Sequence, residues 1–389
     1  MLASKLLGLF GAASRGARLL RCAVFTMALA STLLAANAMS MRAVVDRAAH
    51  DFMATHPQAL AMSIGVYHAG ESRTFDYGNL DPGNRRAPSH GSLYPIASIT
   101  KTFTGTLLAQ AQIEGKLRLD DDVRRYLDGD FPNLEFEGQP VRLFDLLDHR
   151  SGLPFFIPDR PETRPDFVTD VPWATRIAAA TSDYSREDFY ADLHRVQLAA
   201  RPGEAFRYSN AGATLAGYVL ERVYQKPYET LLKEKIFEPL GLRETTLTLS
   251  ESQEKHRVRG YRGDTAMPAE PDVLQGAGAI KSSVRDLLKY AVWHLRETDA
   301  AVKLSHQPVF TTGNYSAGLN WQILSAPGKR LIWQSGNFEG FHAYCILEPE
   351  LGLAVVAMFN QVDPETAPAH GAMVNAILES IEPRAILMP

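Results

Sequence analysis

Strand-like segments crowd the two ends of this chain and are missing from its middle, and that distribution restricts the fold more than any other feature. Ala61–Tyr67 and Ser72–Tyr77 are joined by His68-Ala69-Gly70-Glu71, which reads as a β-hairpin. Towards the C-terminus, Gly318–Leu324, Arg330–Gln334, Gly340–Leu347 and Leu353–Asn360 follow one another with Pro-Gly and Pro-Glu turns between them, the pattern of an antiparallel meander. From about Leu119 to Gln275 the sequence is helix and loop. Helices are expected at Leu143–Asp148, Arg186–Leu198, Ala213–Tyr224 and Tyr228–Phe237, and Pro154–Pro172 is the longest connection. Ala43–Thr55, Ile99–Gly115, Val284–Leu295 and Ala369–Ile381 complete the helical set. In the second of these, Phe103, Leu107, Leu108 and Ala111 recur at three- and four-residue steps. One arrangement satisfies this order. It is an α/β fold whose mainly antiparallel sheet is built from both chain ends and flanked by helices, with an inserted all-α lobe. The sheet lobe takes about 41–118 and 276–382, the helical lobe about 119–275, and a cleft forms where they meet.

Composition narrows the class. With 389 residues, 46% hydrophobic and 22% charged, the chain can bury a large core without disulfides or a structural metal. The net charge of −4 and the lack of a Lys/Arg-rich run in the body exclude nucleic acid as a partner class. Residues 1–38 differ from the rest. Lys5, Arg15, Arg18 and Arg21 stand without any acidic residue, the apolar run Cys22–Leu34 follows, and Ala36-Asn37-Ala38 closes it. A basic stretch, a short apolar core and an A-x-A site form a secretory leader, too short to remain as a membrane span. Export to the periplasm, with no stable span after cleavage, is therefore expected. Arg21 before Cys22 does not fit a lipid-attachment site. The domain that follows, 39–389, keeps one cysteine, Cys345, within an apolar strand-like run, so no internal disulfide can form.

Three short patterns carry chemistry. In Ser98-Ile99-Thr100-Lys101, a three-residue step at the start of a helix puts hydroxyl and amine on one face. A serine becomes a nucleophile when a neighbouring base takes its proton, and a lysine can serve if burial holds it neutral, so a lowered Lys101 pKa is expected. The alternative is a helix-capping serine followed by an exposed lysine. In Tyr208-Ser209-Asn210 a phenol able to shuttle a proton and an amide able to hold a carbonyl precede an apolar helix; the alternative is a packing tyrosine and an asparagine cap. In Gln334-Ser335-Gly336-Asn337-Phe338-Glu339-Gly340, at a strand edge, the two glycines would let a substrate backbone approach closely; the alternative is a turn between strands.

Taken in this order, Ser98-x-x-Lys101, Tyr208-x-Asn210 and a strand motif ending in Gly336 resemble the class C β-lactamases and low-molecular-weight penicillin-binding proteins. Leu146-Leu147-Asp148-His149-Arg150-Ser151-Gly152-Leu153, Pro239-Leu240-Gly241-Leu242 and Gly276–Ser283 resemble further stretches of that family. Within it the chain looks most like D-alanyl-D-alanine carboxypeptidases and endopeptidases. The resemblance implies that Ser98 is acylated, that Lys101 and Tyr208 relay its proton, and that Asn210 holds the substrate amide. Gln334, Ser335, Gly336 and Asn337 would line the substrate site, and the backbone N–H groups of Ser98 and Asn337 would form the oxyanion hole. It implies neither cofactor nor metal. One departure bears on substrate: the family opens the third motif with Lys or His, and this chain has Gln334, with Glu339 nearby. The substrate is thus expected to be a cell-wall peptide, with a β-lactam or a small ester or amide as alternatives, and a non-catalytic cell-wall sensor as the reading outside enzymology.

Overall fold

The computed structural model describes residues 41–269, 271–363 and 366–389. The leader expected over 1–38 lies outside these. Among the described residues no helix is long and apolar enough to cross a membrane.

Eight strands make one sheet, all neighbours antiparallel. In chain order they are β1 (Ala61–His68), β2 (Glu71–Gly78), β3 (Phe310–Thr312), β4 (Tyr315–Ala317), β5 (Gln322–Ala326), β6 (Lys329–Phe338), β7 (Phe341–Glu348) and β8 (Leu353–Phe359). They lie side by side as β2-β1-β8-β7-β6-β5-β4-β3. The N-terminal hairpin thus joins the C-terminal meander through β1 and β8, in a register that sets Ile64 against Ala357 and Val66 against Val355.

Alternation along the central strands sorts their side chains between two cores. Ala343, Cys345 and Leu347 of β7, with Ala354, Val356 and Met358 of β8, face the helices Thr100–Ile113 and Val284–Arg296. Tyr344 and Ile346, with Val355, Ala357 and Phe359, face the helices over 41–55 and Thr366–Ile381. Covered on both sides, β8 is apolar throughout, and β7 is apolar between His342 and Glu348. Cys345 is fully buried as a free thiol.

Several element boundaries differ from the sequence reading. Leu143–Asp148 forms only a 3-10 turn, Phe144–Leu146, and the Arg186 helix stops at Leu193. An eight-residue helix, Trp173–Ala180, and two short strands at one end of the sheet, β3 and β4, were not expected. The run expected as a strand from Gly318 is bent over its first residues: Asn320 takes φ +61 and donates from its side chain to the Lys101 carbonyl at 3.2 Å. The third motif runs along the end of β6, which continues to Phe338 and pairs Gly336 with Ala343, and its last residues, Glu339 and Gly340, make the turn into β7.

One buried amide closes the sheet onto the loops above it. Asn360, with no exposed surface, accepts from Ala61 N at 2.9 Å and donates to the carbonyls of Leu80 at 2.8 Å and Arg259 at 3.0 Å. Removing it leaves those three backbone groups without their side-chain partner. Asn360→Ala is expected to lose about 2–4 kcal/mol of stability, read from urea denaturation; a loss below about 0.5 kcal/mol, the range of an ordinary surface substitution, would contradict this account.

Candidate active site

Ser98 occupies the 3-10 turn Ala97–Ile99 that leads into the Thr100–Ile113 helix. Neither element has a side-chain cap, so the serine hydroxyl is not a helix cap. Instead Ser98 Oγ lies 2.9 Å from Lys101 Nζ and 2.6 Å from the Tyr208 hydroxyl. The residue before it, Ala97, takes φ +43, a region that alanine rarely visits.

Lys101 has no exposed surface. Its Nζ donates to Asn210 Oδ1 at 2.8 Å and to the Ala277 carbonyl at 2.7 Å. Burial disfavours the ammonium and pushes the amine well below the ordinary lysine range. A neutral amine keeps two N–H donors for these two oxygens and turns its lone pair to the Ser98 hydroxyl.

The second motif is arranged by its middle residue. Ser209, not Asn210, caps the Asn210–Tyr224 helix, accepting from Gly212 N at 3.0 Å and donating to the Pro154 carbonyl at 2.6 Å. That leaves Asn210 free to hold Lys101. Burial raises the Tyr208 phenol to about 12, with the hydrogen bond to Ser98 acting the other way. Tyr208 therefore keeps its proton at neutral pH and donates it towards Ser98. The His149 ring lies 4.2 Å from the Tyr208 ring and accepts from Ser209 N at 3.3 Å; burial first, then the nearby Lys101, lowers it to about 3. It is a neutral wall for the phenol.

Ser98, Tyr208, Asn210, Gln334, Ser335 and Asn337 line one cleft of about 280 Å³, with Phe155, Trp173 and Phe338 as its aromatic wall. Gly336 serves a different purpose from the one the sequence suggests. A Cβ there would lie 2.1 Å from the Ile96 carbonyl oxygen and 3.1 Å from Ser98 N, so the close approach is made by the chain's own backbone. Gly340 likewise packs against Gly260 and Tyr261. Glu339 also changes meaning: its carboxylate accepts from Trp173 N at 2.8 Å and Ala174 N at 3.0 Å, the first N–H groups of the Trp173–Ala180 helix. The Ala277 carbonyl, His149 and the aromatic wall had not been singled out as site groups. The first two lie in stretches whose family resemblance alone marked them, and nothing local marks Trp173 or Phe338.

A sheet built from both chain ends and a serine touching a buried lysine and a tyrosine define a class, and comparison with known proteins gives it a family. The family model described as Beta-lactamase matches residues 45–378, and the chain belongs to that family. It is a serine hydrolase of this superfamily. Among its relatives is the D-alanyl-D-alanine-carboxypeptidase/endopeptidase AmpH of Escherichia coli, 29% identical over 79% of this chain and 80% of that one. Another is a Beta-lactamase of Pseudomonas fluorescens, 24% identical over 89% of this chain and all of that protein. The fold is that of a Yersinia pestis β-lactamase/D-alanine carboxypeptidase solved with citrate, with TM-score 0.75, 24% identity, and 89% of this chain and 99% of that one covered.

Gly336→Ala is expected to push β6 away from the nucleophile turn. A displacement of that size costs on the order of a hundredfold in turnover even where the chemistry is untouched. Steady-state hydrolysis of an activated ester measures it, and near-parental turnover would show that the strand and the turn are not held by this contact.

Proposed function

We propose that this protein cleaves peptides of the cell wall at D-alanine, as a carboxypeptidase or endopeptidase working through an acyl-enzyme on Ser98. The observation that carries the reading is the contact of one hydroxyl with both an amine held neutral by burial and a protonated phenol, at the floor of an open cleft. Lys101 takes the Ser98 proton as the oxygen attacks the scissile carbonyl. Tyr208 passes a proton to the departing amine, and the reverse transfer activates water for deacylation. Asn210 fixes Lys101 and presents its amide nitrogen to the substrate. The N–H groups of Ser98 and Asn337 receive the developing oxyanion. The sheet lobe supplies Ser98, Lys101 and the Gln334–Asn337 strand, and the helical lobe supplies Tyr208 and Asn210. The AmpH relative, matching about four-fifths of each chain, supports the choice of substrate. The leader pattern of residues 1–38 supports export to the periplasm, where such peptides lie. A second reading, β-lactam hydrolysis, is favoured by the Beta-lactamase relative matched over its whole length.

Intact-mass measurement after brief exposure to a penicillin separates the two readings. The peptidase reading expects a lasting adduct that Ser98→Ala abolishes, together with release of D-alanine from an acyl-D-alanyl-D-alanine peptide. Consumption of the drug without an adduct would move the assignment to a β-lactamase. An adduct that survives in Ser98→Ala would remove Ser98 as the nucleophile.

The base sets the pH dependence. Because the lowered amine must be neutral to work, kcat/KM is expected to fall as pH drops through the Lys101 pKa, with that acid limb well below the range of a solvated lysine. Lys101→Arg, cationic at every pH, should lose about 100- to 10,000-fold. A pH-independent rate from about pH 5 to about pH 9 in the parent would contradict the role.

A further inference from the structure

We propose that the cleft selects substrates whose leaving side ends in an uncharged group, a further amide or an ester, over those that end in a free carboxylate. The inference rests on the acyl-enzyme reading of Ser98 and concerns what lies beyond the scissile bond; within the proposed function it favours cleavage of internal, endopeptidase-type bonds over release of a terminal D-alanine.

Among the described residues, none lining the cleft carries a formal charge. Gln334 stands in the wall of the cleft, and its amide is already engaged at both ends. Nε2 donates to the Asn320 carbonyl at 2.8 Å, Oε1 accepts from Ser335 N at 2.9 Å, and the residue is 4% exposed. A side chain anchored in this way acts as a strut of the strand and cannot turn to greet a ligand. Basic side chains on neighbouring segments are neutral or committed elsewhere. Lys101 is buried on Asn210 and Ala277, and Arg150 holds Asp148 at 2.7 Å and the Gly203 carbonyl at 2.8 Å. Arg262 stands 4.0 Å from Glu339. Arg207, next to Tyr208 in sequence, is exposed and outside the lining.

A carboxylate entering this cleft would give up water and find only neutral donors, an unfavourable exchange for an ion. An amide meets its match there: Asn210, Gln322, Ser335 and Asn337 each offer donor and acceptor atoms at the lining. The aromatic wall of Phe155, Trp173 and Phe338 adds apolar surface.

The test uses two thioesters of one N-acyl-D-alanine that differ only beyond the sulfur, one released as thioglycolate and the other as thioglycolamide. Thiol release gives kcat/KM, and intact mass reports acylation of Ser98. The amide is expected to exceed the acid by about tenfold or more, and Gln334→Lys is expected to shift the acid-to-amide ratio about tenfold towards the acid. An acid preferred or equalled by the parent enzyme, with Ser98 acylated, overturns the inference and leaves the acyl-enzyme reading standing. If neither thioester acylates Ser98, the acyl-enzyme reading itself falls and takes the inference with it. Because the parent comparison needs no variant, a Gln334→Lys protein that does not fold leaves the test decisive.

Discussion

A lysine with no exposed surface, held by an asparagine oxygen and a backbone carbonyl and by no carboxylate among the described residues, is the interaction around which this molecule is arranged. An ammonium in that place would be an uncompensated buried charge, which proteins avoid by shifting the proton equilibrium. The amine is therefore basic chemistry stored in the fold, available because the surroundings refuse its charge. Three separate parts of the chain must converge for this to hold: the turn and helix bearing Ser98 and Lys101, the helix beginning at Asn210, and the turn carrying Ala277.

Their convergence has visible mechanical causes. A Cβ on Gly276 would lie 2.6 Å from the Ala213 carbonyl, so only glycine lets that turn settle against the Asn210–Tyr224 helix and bring Ala277 to the lysine. Thr104, one turn beyond Lys101, binds the Gly276 carbonyl at 2.7 Å and the Tyr228 hydroxyl at 2.7 Å, tying the same turn to the nucleophile helix from below. On the other side Gly336 brings β6 against the Ile96–Ser98 backbone. The sheet thus positions one wall of the cleft and the helices the other, and the nucleophile turn is wedged between them with Ala97 in a strained conformation.

Much of this was legible in the sequence because it is local. The S-x-x-K step needs one helical turn to put Ser98 beside Lys101, and the apolar runs of β7 and β8 need only their own residues to mark them as strands. What escaped is either too short to mark or set by distant partners. Leu143–Asp148 reads as a helix, yet Asp145 folds back to accept from Arg142 N, and the segment closes as a single turn. Strands β3 and β4, three residues each, are too short for any periodicity to mark. Ser209 and Asn210 are both plausible caps by composition. Which one caps was decided by Lys101, 109 positions earlier in the chain.

Gln334 and Glu339 make the same point about function. Read along the sequence, both look like statements to a substrate, a cation removed and an anion added. In three dimensions Gln334 is pinned to Asn320, and Glu339 sits on the N-terminal N–H groups of a helix 166 positions away, where a carboxylate and the helix dipole favour one another by about 0.3–1 kcal/mol. That contact holds Trp173 edge-on to Phe338, with ring centroids 5.7 Å apart, and Trp173 in turn meets Phe155 at 5.8 Å. The aromatic wall of the cleft is therefore hung from the end of the third motif. A change in that motif acts on substrate twice, directly through the charge it presents and indirectly through the wall it supports, and the two effects share the same few residues of β6.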